Sequence, residues 1–193
     1  MEKKLHILGI SGSLRSGSYN RGLLCAASAL MAEGLTLEIA DLSQIPLYNE
    51  DDFSSRPEAV THLQEQIRLA DGVIIATPEY NHSIPGVLKN ALDWASRPMK
   101  TQPFAGKPLA VMGAGGRSGT VWAQDHLRQV AVQLGMQILM EPRVAVERSW
   151  EKFDPDGNLV DDESRQLIKD QMAAFKTFVI GLKEQEILAG NPV

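Results

Sequence analysis

Apolar and polar positions along the chain switch repeatedly between a period of two or an unbroken run and a period of 3.6, and the switches mark out strands alternating with helices. Leu5, Ile7, Leu8 and Ile10 form a first short apolar run, and Leu35 to Ala40 alternates like a second strand that stops at Asp41. Gly72-Val-Ile-Ile-Ala-Thr77 is continuously apolar and rich in β-branched residues, which predicts a parallel strand buried on both faces at the centre of a sheet. Pro108 to Met112 reads as a fourth strand and Gln137 to Val146 as a fifth. Helical stripes fill the gaps: one from about Asn20 to a glycine cap at Glu33-Gly34, then Val60, Leu63, Ile67 and Ala70, then Val87, Leu88, Ala91, Leu92 and Ala95 between Pro85 and Pro98. Leu127, Val130, Ala131 and Leu134 form a fourth stripe closed by Gly135, and Ile168, Met172, Phe175, Val179 and Leu182 a last one. Ser55 and Glu58 have the spacing of a capping box, Asp154-Pro-Asp-Gly157 is turn chemistry, and the Asp161-Asp-Glu163 run suits a helix start. Residues 184–193 read as a loose tail.

Strands alternating with helices in this way predict an α/β layer fold with right-handed crossovers. The count fits a flavodoxin-like three-layer sandwich, a five-stranded parallel sheet of order 2-1-3-4-5. In such a sheet a ligand sits beyond the carboxyl ends of the strands where the order reverses, between strands 1 and 3. That puts residues 11–19 and 78–84 together, with 113–119 beside them.

Composition narrows the class. With 193 residues and 44% hydrophobic content the chain reads as one domain, 1–193. A formal charge of −5 without any basic block argues against a nucleic-acid partner. The single cysteine, Cys25, has no internal disulfide partner, and no leader or long apolar span stands out, so the expectation is a cytoplasmic protein with no membrane span. Cys25 lies beside Leu23, Leu24 and Ala26 and reads as a small buried hydrophobe. His6, His62, His82 and His126 have neither ligand spacing nor Cys or Asp partners, which predicts no metal site and no hydrolytic triad.

The first loop, Ile10-Ser-Gly-Ser-Leu-Arg-Ser-Gly-Ser-Tyr-Asn20, carries the chemistry. Gly12 and Gly17 allow a tight turn, the helix that follows points unpaired N–H groups into it, and Ser11, Ser13, Ser16, Ser18 and Arg15 add donors and charge. A phosphate monoester fits this donor set, and so does an ordinary serine-rich helix cap. It is not an ATPase loop, because Ser18 and Tyr19 stand where the lysine and magnesium-binding hydroxyl belong. Nor can the three-glycine dinucleotide fingerprint be laid over residues 9–22. The glycines at 113, 115, 116 and 119 miss that fingerprint too, since Ser118 occupies its third position.

Gly12-Ser-Leu-Arg-x-Gly-Ser-x-Asn20, Pro78-Glu-Tyr-Asn81 and Ser83-Ile-Pro-Gly-Val-Leu-Lys-Asn-Ala-Leu-Asp-Trp94, in this order, resemble the motifs of the NADPH-dependent FMN reductases of the quinone, azo and chromate reductase group. The resemblance runs from Leu5 to about Leu182 and implies non-covalent FMN, NADPH or NADH as co-substrate, and a homodimer or homotetramer with the flavin near a subunit interface. Ser13, Arg15, Ser18 and Asn20 match the family's FMN-phosphate residues, with Ser11, Leu14 and Tyr19 completing that loop. Pro78, Glu79, Tyr80 and Asn81 match its isoalloxazine loop; Tyr80 is the expected ring neighbour, and Glu79 is expected to act through its backbone with a solvated carboxylate. Gly113, Gly115 and Gly116 would edge the flavin, although relatives often carry a serine pair near 114 and 115 that this chain lacks. Arg117 and His82 are candidates for NADPH or acceptor contact, while Lys89, Asn90, Asp93 and Trp94 read as structural or interface residues, as does the loop Leu42 to Ser55. The implied activity is FMN-dependent transfer of electrons from NAD(P)H to a small-molecule acceptor, a quinone, flavin, azo compound or chromate, by a ping-pong mechanism with no catalytic side chain. The alternative is a flavodoxin-like electron carrier or FMN-binding regulatory module without NADPH turnover.

Overall fold

The computed structural model describes residues 4–98 and 102–190. In chain order these form β1 (Leu5–Ser11), α1 (Tyr19–Ala29), β2 (Leu35–Ile39), α2 (Glu58–Leu69), β3 (Gly72–Ala76), α3 (Gly86–Ala95), β4 (Pro108–Ala114), α4 (Val121–Gln133), β5 (Gln137–Ile138), β6 (Val144–Val146), α5 (Ser149–Lys152) and α6 (Asp162–Leu188). Every ladder of the sheet is parallel, in the order β2-β1-β3-β4-β5, with β6 also paired to β4. This is the flavodoxin-like arrangement, reversing between β1 and β3.

Side chains alternate across each strand and so sort the core into two layers. On one face Ile7, Ile74, Ala110 and Met112 pack with Leu23 and Leu24 of α1 and Ile168, Met172 and Phe175 of α6. On the other, Leu8, Ile10, Val73, Ile75, Leu109 and Val111 pack with Leu63 and Ile67 of α2, Leu88 and Leu92 of α3 and Leu127 of α4. β3 is buried at every position, as its unbroken apolar run requires of a strand with neighbours on both sides and helices on both faces. Each large aliphatic side chain is worth roughly 1.5–3 kcal/mol on burial, so these layers hold the strand ends from which the loops spring.

Several elements depart from expectation, each for a physical reason. The fifth strand is broken in two: β5 pairs with Pro108 and Leu109 and β6 with Met112 to Ala114, a register slip of three residues. Pro142, in the intervening arc, has no N–H to give a ladder. The Val111 carbonyl accepts instead from Nε2 of buried Gln171 at 3.1 Å, which also donates to the Pro142 carbonyl at 2.7 Å. Helix α1 stops at Ala29 with Leu30 as its cap, short of Gly34, because Leu30, Met31 and Ala32 turn to pack on the core. Cys25 is exposed, not buried, since it shares the outer stripe of α1 with Arg21, Ser28 and Ala29. The Ser55–Glu58 capping box does not form; Ser55 belongs to a 3-10 turn, Glu50–Ser55, and Pro57 stands at the cap of α2 without a side-chain bond. Residues 184–188 of the expected loose tail are the end of α6, and 191–193 lie outside the described residues. The start of α6 is as expected: Asp161 caps it, accepting from the Ser164 N–H at 2.9 Å and hydroxyl at 2.6 Å. A bond from the Lys152 ammonium, with those from Ser164, lowers the Asp161 pKa from 3.8 to about 2.

Candidate functional site

Strand β1 hands over to the first loop at Gly12, whose N–H donates to the Ala76 carbonyl at 2.8 Å. A Cβ here would lie 3.1 Å from Pro78 Cδ, so glycine lets the roots of two loops touch. The hydroxyl of buried Ser11 donates to the Ser13 carbonyl at 3.3 Å, and Ser18 closes the loop as the cap of α1, accepting from the Arg21 N–H at 3.4 Å. Leu14, Arg15, Ser16 and Gly17 are exposed and Ser13 is half-buried. The N–H groups of Tyr19 and Asn20, in the first turn of α1, find no acceptor among the described residues. The Arg15 guanidinium lies 5.2 Å from the centre of the Tyr19 ring, which itself packs 4.9 Å from Phe153. Free N–H groups at the positive end of an eleven-residue helix, with hydroxyls and a guanidinium around them, are the donor set of a phosphate monoester.

The Asn20 side chain does not face the first loop. Its side chain is buried, with Nδ2 donating to the Ala114 carbonyl at 2.9 Å and Oδ1 accepting from the Ala114 N–H at 3.0 Å. The side-chain amide thus clamps α1 to the end of β4 instead of pointing into the loop.

The second loop leaves β3 through Thr77, whose N–H donates to the Met112 carbonyl at 3.0 Å, and buried Pro78. Tyr80 and Ser83 exchange both backbone hydrogen bonds, at 3.1 and 3.0 Å, around Asn81 and His82 with φ of +53° and +59°. Positive φ at both central positions is the signature of a tight primed turn. The side chains of Tyr80, Asn81 and His82 face solvent, Tyr80 with 56% exposure. Glu79 overturns the expectation of a solvated carboxylate: Oε1 accepts from the Ser118 hydroxyl at 2.9 Å and Oε2 from the Ala123 N–H at 3.0 Å. The His82 ring stacks on Trp122, 5.8 Å between centres and 6° from parallel, and Ser83 Oγ lies 2.8 Å from His126 Nδ1. The first turns of α4 therefore back this loop. Sequence reasoning missed Trp122 and set His126 aside; their partners are some 40 residues away, and no local pattern announces them.

The third loop follows β4, whose next-to-last residue is Gly113. A Cβ on Gly113 would meet Thr120 Oγ1 at 1.9 Å and the Thr77 carbonyl oxygen at 2.6 Å, and one on Gly115 would meet Thr120 Cγ2 at 2.7 Å. At Gly116 it would meet nothing within 4 Å. Backbone bonds from Ser149 to Gly115 and from Arg148 to Gly116, at 3.0 and 2.9 Å, tie this loop to the start of α5, and Arg117 stands exposed. The three loops thus meet at the carboxyl ends of β1, β3 and β4, joined by Gly12–Ala76, Asn20–Ala114 and Glu79–Ser118. Asn90 and Trp94 take up structural positions: both donate to the Pro46 carbonyl, at 2.8 and 2.9 Å, and pin the loop before the 3-10 turn to α3. Lys89 pairs with Asp93 one turn along the same helix. No three His, Cys, Asp or Glu side chains gather as a metal site among the described residues. A groove of about 520 Å³ lies at the opposite end of the sheet, between the ends of α3 and α4, lined among others by Asp93, Arg97, Phe104 and Leu134.

Residues 5–151 match the sequence model of a family described as NADPH-dependent FMN reductase. The chain is 51% identical over 185 residues to an NAD(P)H-dependent FMN reductase of Pseudomonas aeruginosa, covering 95% of this chain and all of that one. It is 40% identical over 191 residues to the quinone reductase of Escherichia coli K12, covering 95% of this chain and all of that protein. Among solved structures it is similar to the flavoenzyme NAD(P)H:(acceptor) oxidoreductase of Paracoccus denitrificans, with a TM-score of 0.83, 30% identity, and coverage of 92% of this chain and 98% of the other.

Proposed function

The chain belongs to the NADPH-dependent FMN reductase family, and from that premise we propose how its three loops divide the work of an NAD(P)H-dependent quinone reductase. It is an oxidoreductase with FMN as cofactor and NAD(P)H as electron donor. When bound, FMN supplies the redox chemistry, taking hydride from the nicotinamide and returning electrons to the acceptor. The chain's own residues have to hold that group, orient it and shape the space above it.

The observation that carries the reading is one shelf made by three loops, with anion donors at one end and an exposed aromatic at the other. The donor set fits the cofactor. In our reading Ser13, Arg15, Ser18 and the N–H groups of Tyr19 and Asn20 hold the phosphate, with Ser11 and Leu14 shaping the loop. Asn20 serves through its backbone, its side chain being engaged with Ala114. Pro78, Glu79, Tyr80 and Asn81 border the ring. Gly113 and Gly115, whose bare sides pack against Thr120, bring the strand-4 loop in close, and Gly116, where a Cβ would meet nothing within 4 Å, offers open backbone to a flat group; backbone contact needs no serine pair there. Arg117 and His82, both exposed on the rim, are assigned to NADPH or acceptor.

Quinones are the acceptors, and we extend the range to free flavin, azo compounds and chromate, since an open shelf with exposed Tyr80 sets few demands on shape. Hydride transfer requires the donor carbon within about 3–3.5 Å of its target, so donor and acceptor occupy the same position over the shelf in turn. Steady-state kinetics with NADPH and a benzoquinone are expected to give parallel double-reciprocal lines, with Tyr80→Ala lowering turnover for every acceptor. Converging lines would contradict the shared position, and flavin-loaded protein that fails to oxidise NADPH would be a carrier and not a reductase.

We further propose self-association of this 1–193 unit through the loop 42–55 and α3. Leu47 on that loop is 85% exposed, and Asn90 and Trp94 make the two segments one surface. Sedimentation of a tightly flavin-bound, active monomer would overturn this. No helix among the described residues is long and apolar enough to cross a membrane. We place the enzyme in the cytoplasm, where the exposed thiol of Cys25 suits a reducing environment.

A further inference from the structure

Helix α4 begins without a cap of its own. Thr120, before its first residue, has a φ of +69° and makes no side-chain capping bond; its Oγ1 accepts instead from Nε2 of Gln124 one turn along, at 3.3 Å. The N–H that a capping side chain would take is that of the third helical residue, Ala123, and Oε2 of Glu79 takes it from 44 residues away. The other oxygen of the same carboxylate holds the Ser118 hydroxyl in the strand-4 loop. One half-buried side chain therefore joins the second loop, the third loop and the helix that backs them both.

We infer that Glu79 is a positioning residue for the flavin ring: its carboxylate is engaged by the protein on both oxygens, and it sets Tyr80 and Asn81 at a fixed distance from the strand-4 loop by anchoring their loop to α4 and Ser118. The inference rests on the reading that residues 78–81 and 113–116 border the ring. The loop's remaining ties to α4 lie near the surface, since His82, Trp122 and His126 are all exposed. A carboxylate at the positive end of a helix also carries a charge interaction, and the two effects make different predictions. Glutamine can keep both hydrogen bonds without the charge, its Oε1 accepting from the Ala123 N–H and its Nε2 donating to Ser118 Oγ. If the role is geometric, Glu79→Gln is close to wild type and Glu79→Ala is not.

The test compares wild type, Glu79→Gln, Glu79→Ala and Ser118→Ala by titration with FMN and with riboflavin, and by hydrogen exchange of the Ala123 amide in flavin-free protein. Glu79→Ala is expected to raise Kd about tenfold for both flavins, the scale of two lost hydrogen bonds at about threefold each, and to speed Ala123 exchange by a similar factor. Ser118→Ala breaks one of the two ties and is expected to cost about threefold for both flavins, which carries the comparison should Glu79→Ala not fold. Glu79→Gln is expected within about threefold of wild type. Wild-type affinity in Glu79→Ala, or in Ser118→Ala where Glu79→Ala does not fold, overturns the inference. So does a loss confined to FMN, which would place Glu79 at the phosphate, and so does a loss in Glu79→Gln equal to that in Glu79→Ala, which would make charge the cause. Wild-type protein that takes up neither flavin would remove the ring reading itself and this inference with it.

Discussion

Replacing Asn20 by alanine separates a structural clamp from a ligand contact. The side chain is 3% exposed and its two bonds go to the N–H and carbonyl of Ala114, itself 2% exposed. Without it both backbone groups stay buried with no partner, at about 1–3 kcal/mol each. Together they amount to about 2–6 kcal/mol against a total stability of about 5–15 kcal/mol. Urea unfolding of the flavin-free protein, followed by the fluorescence of buried Trp94, is expected to show a markedly lower midpoint with an unchanged slope. Asn20→Asp keeps the acceptor and sets a carboxylate against the Ala114 carbonyl, so it is expected to destabilise as well. Because the clamp acts through the end of β4, the alanine variant that remains folded should weaken FMN and riboflavin by the same factor. Wild-type unfolding combined with a loss of FMN affinity alone would refute this reasoning and return the Asn20 amide to the phosphate.

Two further outcomes are expected. Arg15→Ala should weaken FMN by about 1.5–3 kcal/mol, the range for a bond to a charged group, and leave riboflavin almost unchanged in the same titration; equal losses would take Arg15 off the phosphate. Asp161 has its pKa lowered to about 2 by Lys152 and Ser164, so it stabilises the fold above the unfolded value of 3.8 and ceases to as pH falls through 2. Asp161→Asn should therefore be less stable than wild type at neutral pH by about 1 kcal/mol, after allowance for partial exposure, with the gap closing over that acid range; a gap independent of pH would exclude the ion pair as its source.

Much of this architecture was legible from the chain because its signals are local. The run Gly72 to Thr77 announces a central strand by itself, and with the helical stripes around it the sheet order follows. What escaped depends on partners far along the chain. A carboxylate in a surface loop is ordinarily solvated, and nothing near Glu79 shows that Ala123 has a bare N–H waiting for it. Cys25 has apolar neighbours in sequence, yet the outer stripe of α1 is decided by which side meets the sheet. Gln137 to Val146 reads as one strand because the periodicity survives across Pro142, while the compensating bond comes from Gln171 on α6. The family motif singles out Asn20 without showing that its side-chain amide is held by Ala114.

The turn at residues 80–83 bears on how such an enzyme can be diversified. Its shape is kept by two main-chain bonds and by Glu79 beneath it, so the side chains above are free to vary as far as the fold is concerned. The two corner positions are nevertheless a narrow alphabet: left-handed backbone at 81 and 82 admits glycine, asparagine and aspartate readily and β-branched residues hardly at all. Tyr80 and Trp122 carry no such backbone restriction and are more than half exposed, Trp122 giving up only its stack on His82 when replaced. A laboratory library aimed at new electron acceptors would therefore randomise 80 and 122 fully, sample 81 and 82 from a handful of residues, and leave 79 untouched.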